Sequence, residues 1–286
     1  MSPASPLVST EWLASHLDAP DVRVVDASWY LEQEGRNARA EYEAAHIPGA
    51  VFFDIDEIAD SDSPYPHMLP SPEKFASRVR RLGLGDGNRI VVYDNGGLAR
   101  SAARVWWTFT VFGHRDVVVL DGGFHKWRVE GRPIEDIPPM PRERHYTARV
   151  NRLLVRDIDQ MRRIVLNGDE QIVDARAPSR FSGEAPEPRP GLRSGHIPGS
   201  YNVPNGALFD EDGCFRKPEE LRRLFEEAGV DLSRPVVTTC GSGITAANLF
   251  LALQIAGAKR VALYDGSWAE WGAQDDTPVA TAEAAG

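Results

Sequence analysis

Short apolar runs alternate with longer polar-and-apolar segments along the whole chain. In the C-terminal half the runs IVDA (172–175), YNVP (201–204), VVTT (236–239) and VALYD (261–265) are each four or five residues long and rich in β-branched residues. Such runs predict strands buried on both faces. Between them PEELRRLFEEAG (218–229) carries Pro in its first turn and Gly at its end, which predicts a helix. Strands that alternate with helices imply a mainly parallel sheet with helices on both faces, a three-layer α/β domain.

The pattern occurs twice. Val24-Val25-Asp26-Ala27 returns as Ile172-Val173-Asp174-Ala175, and Ala45-His46-Ile47-Pro48-Gly49-Ala50 returns as Gly195-His196-Ile197-Pro198-Gly199-Ser200. Ile90-Val91-Val92-Tyr93 answers Pro235-Val236-Val237-Thr238, and Leu120-Asp121-Gly122-Gly123 with Trp127 answers Tyr264-Asp265-Gly266-Ser267 with Trp271. The order is kept and the offset stays between 144 and 150, so two copies of one domain are expected. Residues 1–135 form the first copy, residues 152–286 the second, and the proline-rich stretch between them a linker over 136–151.

Composition narrows the function. The 286 residues carry 42 acidic and 32 basic side chains, a net charge of −10, and no basic run interleaved with aromatics, which argues against a nucleic-acid partner. No apolar run approaches the ~20 residues that span a bilayer, and the opening MSPASPLVSTEWL lacks the regions of a secretory signal, so no membrane and a cytoplasmic location are expected. The two cysteines, Cys214 and Cys240, are too few for a disulfide framework, so each is either a nucleophile or an inert thiol. No Cys/His cluster has ligand spacing, and neither a metal nor an organic cofactor is expected.

After VVTT comes Cys240-Gly241-Ser242-Gly243-Ile244-Thr245-Ala246, which satisfies the dinucleotide fingerprint G-x-G-x-x-G/A, with Asp265 roughly 20 residues on. Its place in the chain argues against a dinucleotide, because only 40 residues remain after Ala246 and that domain begins with its fingerprint. A Cys-x5-Arg phosphatase would need Arg at position 246, which is Ala. A reactive sulfur suits the loop better. Small residues between a strand end and a helix N-terminus let backbone N–H groups converge on an anion, and such places draw a thiol from about 8.5 to roughly 3.5–7.5. Cys214 sits in the acidic turn Asp210-Glu211-Asp212-Gly213-Cys214, which raises a thiol pKa, and is taken as a bystander. Trp106, Trp107, Trp127, Trp268 and Trp271 are expected to pack cores, with Trp29 a candidate for the cleft.

The motifs VVDASWY, AAHIPGAVFFDID, SPYPHMLP and LDGGFHKW in the first half, and VDARAPSRFSG, EPRPG, GHIPGSYNVP, TTCGSGITAAN and YDGSWAEW in the second, resemble those of the two-domain rhodanese-like sulfurtransferases over nearly the whole chain. The resemblance implies two tandem rhodanese-like domains, of which the second is catalytic; Asn95 stands where the repeat places the lost cysteine of the first. It implies a Cys240 persulfide held by Gly241, Ser242, Gly243, Ile244 and Thr245, and a small-molecule sulfur donor bound by Arg180 and Arg189, with a thioredoxin-like dithiol or cyanide as acceptor. The neutral Gly241-Ser242 pair is similar to the loop of 3-mercaptopyruvate sulfurtransferases, whereas thiosulfate enzymes typically carry Arg-Lys there. The alternatives are a thiosulfate:cyanide sulfurtransferase and a non-catalytic sulfur-carrier or binding protein. A first-domain His, here His46, is implied to work with Ser242 in proton handling, although HIPG in both copies is also the mark of a structural histidine, the reading given to His196. Asn37 replaces the acid of the family's triad, and Arg193 stays unassigned.

Overall fold

The computed structural model describes residues 5–97 and 100–282. It divides the chain into two units, the first made of residues 1–62, 69–151 and 209–215, the second of 63–68, 152–208 and 216–286.

Each unit holds one five-stranded sheet in which every strand pairs in parallel. In the first, β1 (Leu7–Val8), β2 (Val22–Asp26), β3 (Val51–Phe52), β4 (Arg89–Tyr93) and β5 (Val117–Leu120) lie in the order β1-β5-β4-β2-β3. In the second, β6 (Val155–Arg156), β7 (Gln171–Asp174), β8 (Tyr201–Asn202), β9 (Val236–Thr239) and β10 (Val261–Tyr264) repeat it as β6-β10-β9-β7-β8. The repeat read from the sequence is therefore a repeat of topology. Along β4, Val91 and Tyr93 face a cluster with Leu13, Phe124 and Trp127, while the alternate Ile90 and Val92 are equally buried. Both faces are covered, as continuous apolar strands require.

The pairing register corrects the sequence alignment by one residue. Asp26 pairs with Tyr93 and Asp174 with Thr239, so residues 90–93 answer 236–239 and the counterpart of Cys240 is Asp94, not Asn95. The backbone confirms it, since the Asp94 carbonyl accepts from Phe124 N and the Cys240 carbonyl from Trp268 N, both at 2.9 Å. Leu98 and Ala99 of the first copy's loop lie outside the described residues.

Residues 136–151, expected as a linker, are counted with the first unit. Tyr146 is buried among Phe75, Phe109 and His114, its carbonyl accepts two bonds from Arg80, and Asp86 accepts from the N–H and hydroxyl of Thr147. The prolines that bar regular structure leave an extended strap that is anchored by the buried Tyr146, while Ile137, Met140 and Val150 stay exposed.

Candidate active site

The site is built at the C-terminal edge of the second sheet, where loops of parallel α/β folds collect function. β9 delivers the chain to Cys240, and the 12-residue helix Ile244–Ile255 begins four residues later, capped by Gly243 at φ 82°. An L side chain is strained there, so glycine lets the loop turn within three residues. The turn aims the Gly243 N–H at the Cys240 sulfur, N to Sγ 3.1 Å, and sets the thiol at the positive end of the helix.

The Cys240 peptide is fastened on its other side. Ser267, fully buried with a left-handed φ of 50°, accepts from Cys240 N at 3.3 Å and donates to the Tyr264 carbonyl at 2.9 Å. Trp268 N and Ala269 N take the Cys240 and Gly241 carbonyls. Cys240 is 2% exposed and Ser242 is also buried, so a small reactant meets a thiol held in a fixed place.

A charged network lies beside the loop. Arg176, buried, is chelated by Asp174 at 2.7–3.2 Å, bonds Glu187 at 2.8 Å and the Gly195 carbonyl at 2.9 Å, and lies 4.3 Å over the Trp268 ring. Burial works against its charge, but Asp174 and Glu187 outweigh it, and the Arg176 pKa lies above its ordinary value. Arg180 is one link further out, bonded through Nε and Nη2 to Glu187 and 25% exposed. A Cβ at position 241 would lie 3.0 Å from Arg180 Nη2, so glycine at 241 leaves the guanidinium room to lie against the loop.

Cys240, Gly241, Ser242, Gly243 and Arg180 are thus gathered in one place. Ile244 and Thr245 form the first turn of the following helix, and Arg189 is half-buried in the Glu187 segment. Arg193 is a fastener, bonded to the carbonyls of Trp271, Gly272 and Thr277. His46, in the first unit, is fully buried: Nδ1 bonds the Tyr42 carbonyl at 2.7 Å, the ring stacks on Tyr42, and Nε2 lies 3.5 Å from Glu135. His196 repeats this on Phe181, with Nδ1 2.7 Å from its carbonyl. The two histidines share one fastening geometry, and Asn37 caps the helix Ala38–Ala44 through Ala40 N.

Cys214 is pushed up to about 11, first by burial and then by Asp121. Five of the six tryptophans named above are core residues; Trp29 is half-buried and donates to Asp56 at 2.9 Å.

The sequence reading missed Arg176, Asp174 and Ser267 as site candidates, and gave no part to His67. His67 belongs to the second unit with Cys240, is buried, and holds a left-handed φ of 62°. Strain of that kind collects at functional sites. Its only sequence signal was its place in SPYPHMLP.

The fold and the cradle define a class: a tandem α/β protein with one thiol held at a strand–loop–helix turn. Rhodanese-like domains match residues 9–130 and 157–274, and the chain belongs to that family. It is 44% identical to the 3-mercaptopyruvate sulfurtransferase of Homo sapiens and 46% identical to the thiosulfate sulfurtransferase of Rattus norvegicus, in each case over 93% of this chain and 91% of the relative. Its structure is similar to that of SseA from Escherichia coli, described as a 3-mercaptopyruvate sulfotransferase, with a TM-score of 0.85 and 39% identity over 93% of this chain and 99% of that one.

Proposed function

We propose that the protein moves sulfur from 3-mercaptopyruvate, through a persulfide on Cys240, to a thiol acceptor or cyanide. One observation carries the choice of donor: the residues after the cysteine, Gly241-Ser242, are neutral, and the cation beside them is the planar Arg180 guanidinium from another segment. Such a fork suits the single carboxylate of a keto acid.

The Cys240 thiolate attacks the substrate sulfur and the carbon–sulfur bond breaks. Its electron pair passes into the enolate of pyruvate, which takes up the proton of the former thiol, leaving Cys240 with one extra sulfur as a persulfide anion. The Gly243 N–H and the helix end stabilise negative charge on the sulfurs, Ser242 polarises the keto group, and Arg180 with Arg189 holds the carboxylate. A second thiol then takes the outer sulfur and restores Cys240. A thioredoxin-like dithiol is the acceptor this chemistry favours, and the cytoplasm, where such dithiols are kept reduced, is the proposed compartment. Among the described residues no helix is long and apolar enough to cross a membrane.

The test mixes the protein with mercaptopyruvate or with thiosulfate and follows pyruvate and the mass of the Cys240 peptide. Pyruvate release with a one-sulfur gain is expected from mercaptopyruvate, and Cys240→Ser should cut the release by roughly 10³-fold or more. Sulfur gained faster from thiosulfate would instead favour the donor named for the rat relative. No gain from either would leave the non-catalytic reading.

A further inference from the structure

Glu187 lies in a proline-rich loop whose backbone is partly exposed, yet its side chain is only 2% exposed. A buried carboxylate is costly unless it is paired. Here it is paired twice: Oε1 accepts from Arg176 Nη1 at 2.8 Å and from Arg180 Nε at 3.2 Å, and Oε2 accepts from Arg180 Nη2 at 2.5 Å.

The two ends of this bridge are unequal. Arg176 is locked from four sides, by Asp174, the Gly195 carbonyl, the Trp268 ring and Glu187 itself. Among the described residues the Arg180 side chain hydrogen-bonds Glu187 alone, while its Nη2 sits against Gly241. Position is therefore passed outward from a fixed guanidinium, through one carboxylate, to a partly exposed one.

The geometry points to Glu187 as a positioning residue that, anchored on Arg176, aims the open edge of Arg180 at an organic carboxylate arriving at Cys240. This rests on the part given to Arg180 in the proposed function. It also sets two effects of Glu187 in opposition. Its charge weakens the positive potential at the thiol, and its two hydrogen bonds place that potential where a carboxylate meets it; placement is inferred to win, because a bidentate pair holds the guanidinium plane.

Alkylation of Cys240 reads this without any sulfur donor. Iodoacetate carries a carboxylate and iodoacetamide is its neutral counterpart, and the ratio of their rates, followed as mass gain on the Cys240 peptide, reports the cation presented at the thiol. Arg180→Ala and Glu187→Ala are each expected to lower the ratio about tenfold with the iodoacetamide rate kept, the effect of one charge-assisted pair. Glu187→Gln, which keeps the shape and one acceptor, should lower it about threefold, and it decides the matter if Glu187→Ala does not fold. A ratio unchanged or raised in the Glu187 variants, while Arg180→Ala lowers it, overturns the positioning role and leaves Arg180 in place. An unchanged ratio in Arg180→Ala overturns both, independently of whether the parent releases pyruvate from mercaptopyruvate.

Discussion

At the end of the same strand, one copy of this fold holds a carboxylate and the other a thiol. Asp94 fills its own cradle: its two oxygens accept from Gly96 N at 2.8 Å and from Ala102 N, at the start of the helix Ala102–Val111, at 2.7 Å. Burial still holds its pKa above the ordinary carboxylate value. At the corresponding turn the Cys240 sulfur accepts from Gly243 N at 3.1 Å. The cradle is thus a property of the strand–loop–helix turn, which offers backbone N–H donors to the side chain at its entrance in either copy, and reactivity is a property of that side chain.

The strand beneath differs in the same spirit. Asp26 and Asp174 each accept at 2.8 Å from the N–H two residues on, but that residue is Ser28 in the first copy and Arg176 in the second. Without a cation, burial raises Asp26 from 3.8 to about 6. With one, Asp174 becomes the inner anchor of the network that ends at Arg180.

The harshest break of this comparison moves the thiol. In Cys240→Ser/Asp94→Cys the first cradle receives a cysteine, and pyruvate release is expected to stay roughly 10³-fold or more below the parent. Among the described residues the first copy shows no counterpart of the Arg176–Glu187–Arg180 chain: its Arg36 is paired with Glu41 and stacked on Tyr30. Activity recovered at position 94 would show that the cradle alone suffices.

Next come the paired aspartates, whose substitution should act with opposite sign. Asp174→Asn leaves Arg176 buried without the negative charge and second acceptor oxygen of position 174 and is expected to destabilise by about 3–5 kcal/mol in denaturant unfolding. For Asp26 the folded pKa is the higher one, so its contribution is full below about pH 4 and is lost as pH rises through about 6. Asp26→Asn should therefore flatten stability against pH across that window and stabilise at pH 7, by up to about 3 kcal/mol for a shift of this size. A loss of stability at neutral pH would contradict the difference drawn between the two copies.

A smaller effect separates two histidines. Asparagine tolerates a left-handed backbone, so His67→Asn removes the buried imidazole with little backbone strain, and the strained position predicts a fall in turnover larger than the fall in Tm accounts for. His46→Gln loses the bond to the Tyr42 carbonyl and should lower Tm while turnover per folded molecule is kept. Smallest of all, Cys214→Ser should leave turnover unchanged, and Cys214 should resist alkylation until the pH approaches 11.

The strands, the duplication and the cysteine loop were legible because they are local: β-branched runs, repeated words and glycines mark themselves. Register was not, because a run such as RIVVY is apolar on both faces and has no alternation to index it, so the alignment slipped by one and put Asn95 where Asp94 belongs. The burial of Glu187 was equally hidden. In sequence it is one acid in a polar loop, and only the fold shows that its carboxylate points inward between two arginines. Likewise HIPG announced His46 and His196, whose rings fasten loops, while the strain at His67 is a backbone angle that no residue pattern spells out.

The 3.0 Å between Arg180 Nη2 and the place of a Cβ on Gly241 ties two distant positions together through time as well as space. A side chain gained at 241 asks the tip of the flexible Arg180 side chain to give by a few tenths of an ångström, and so re-aims the guanidinium. In a lineage that changes donor through this loop, positions 241 and 180 are therefore expected to change together, each substitution at one resetting what the other can hold.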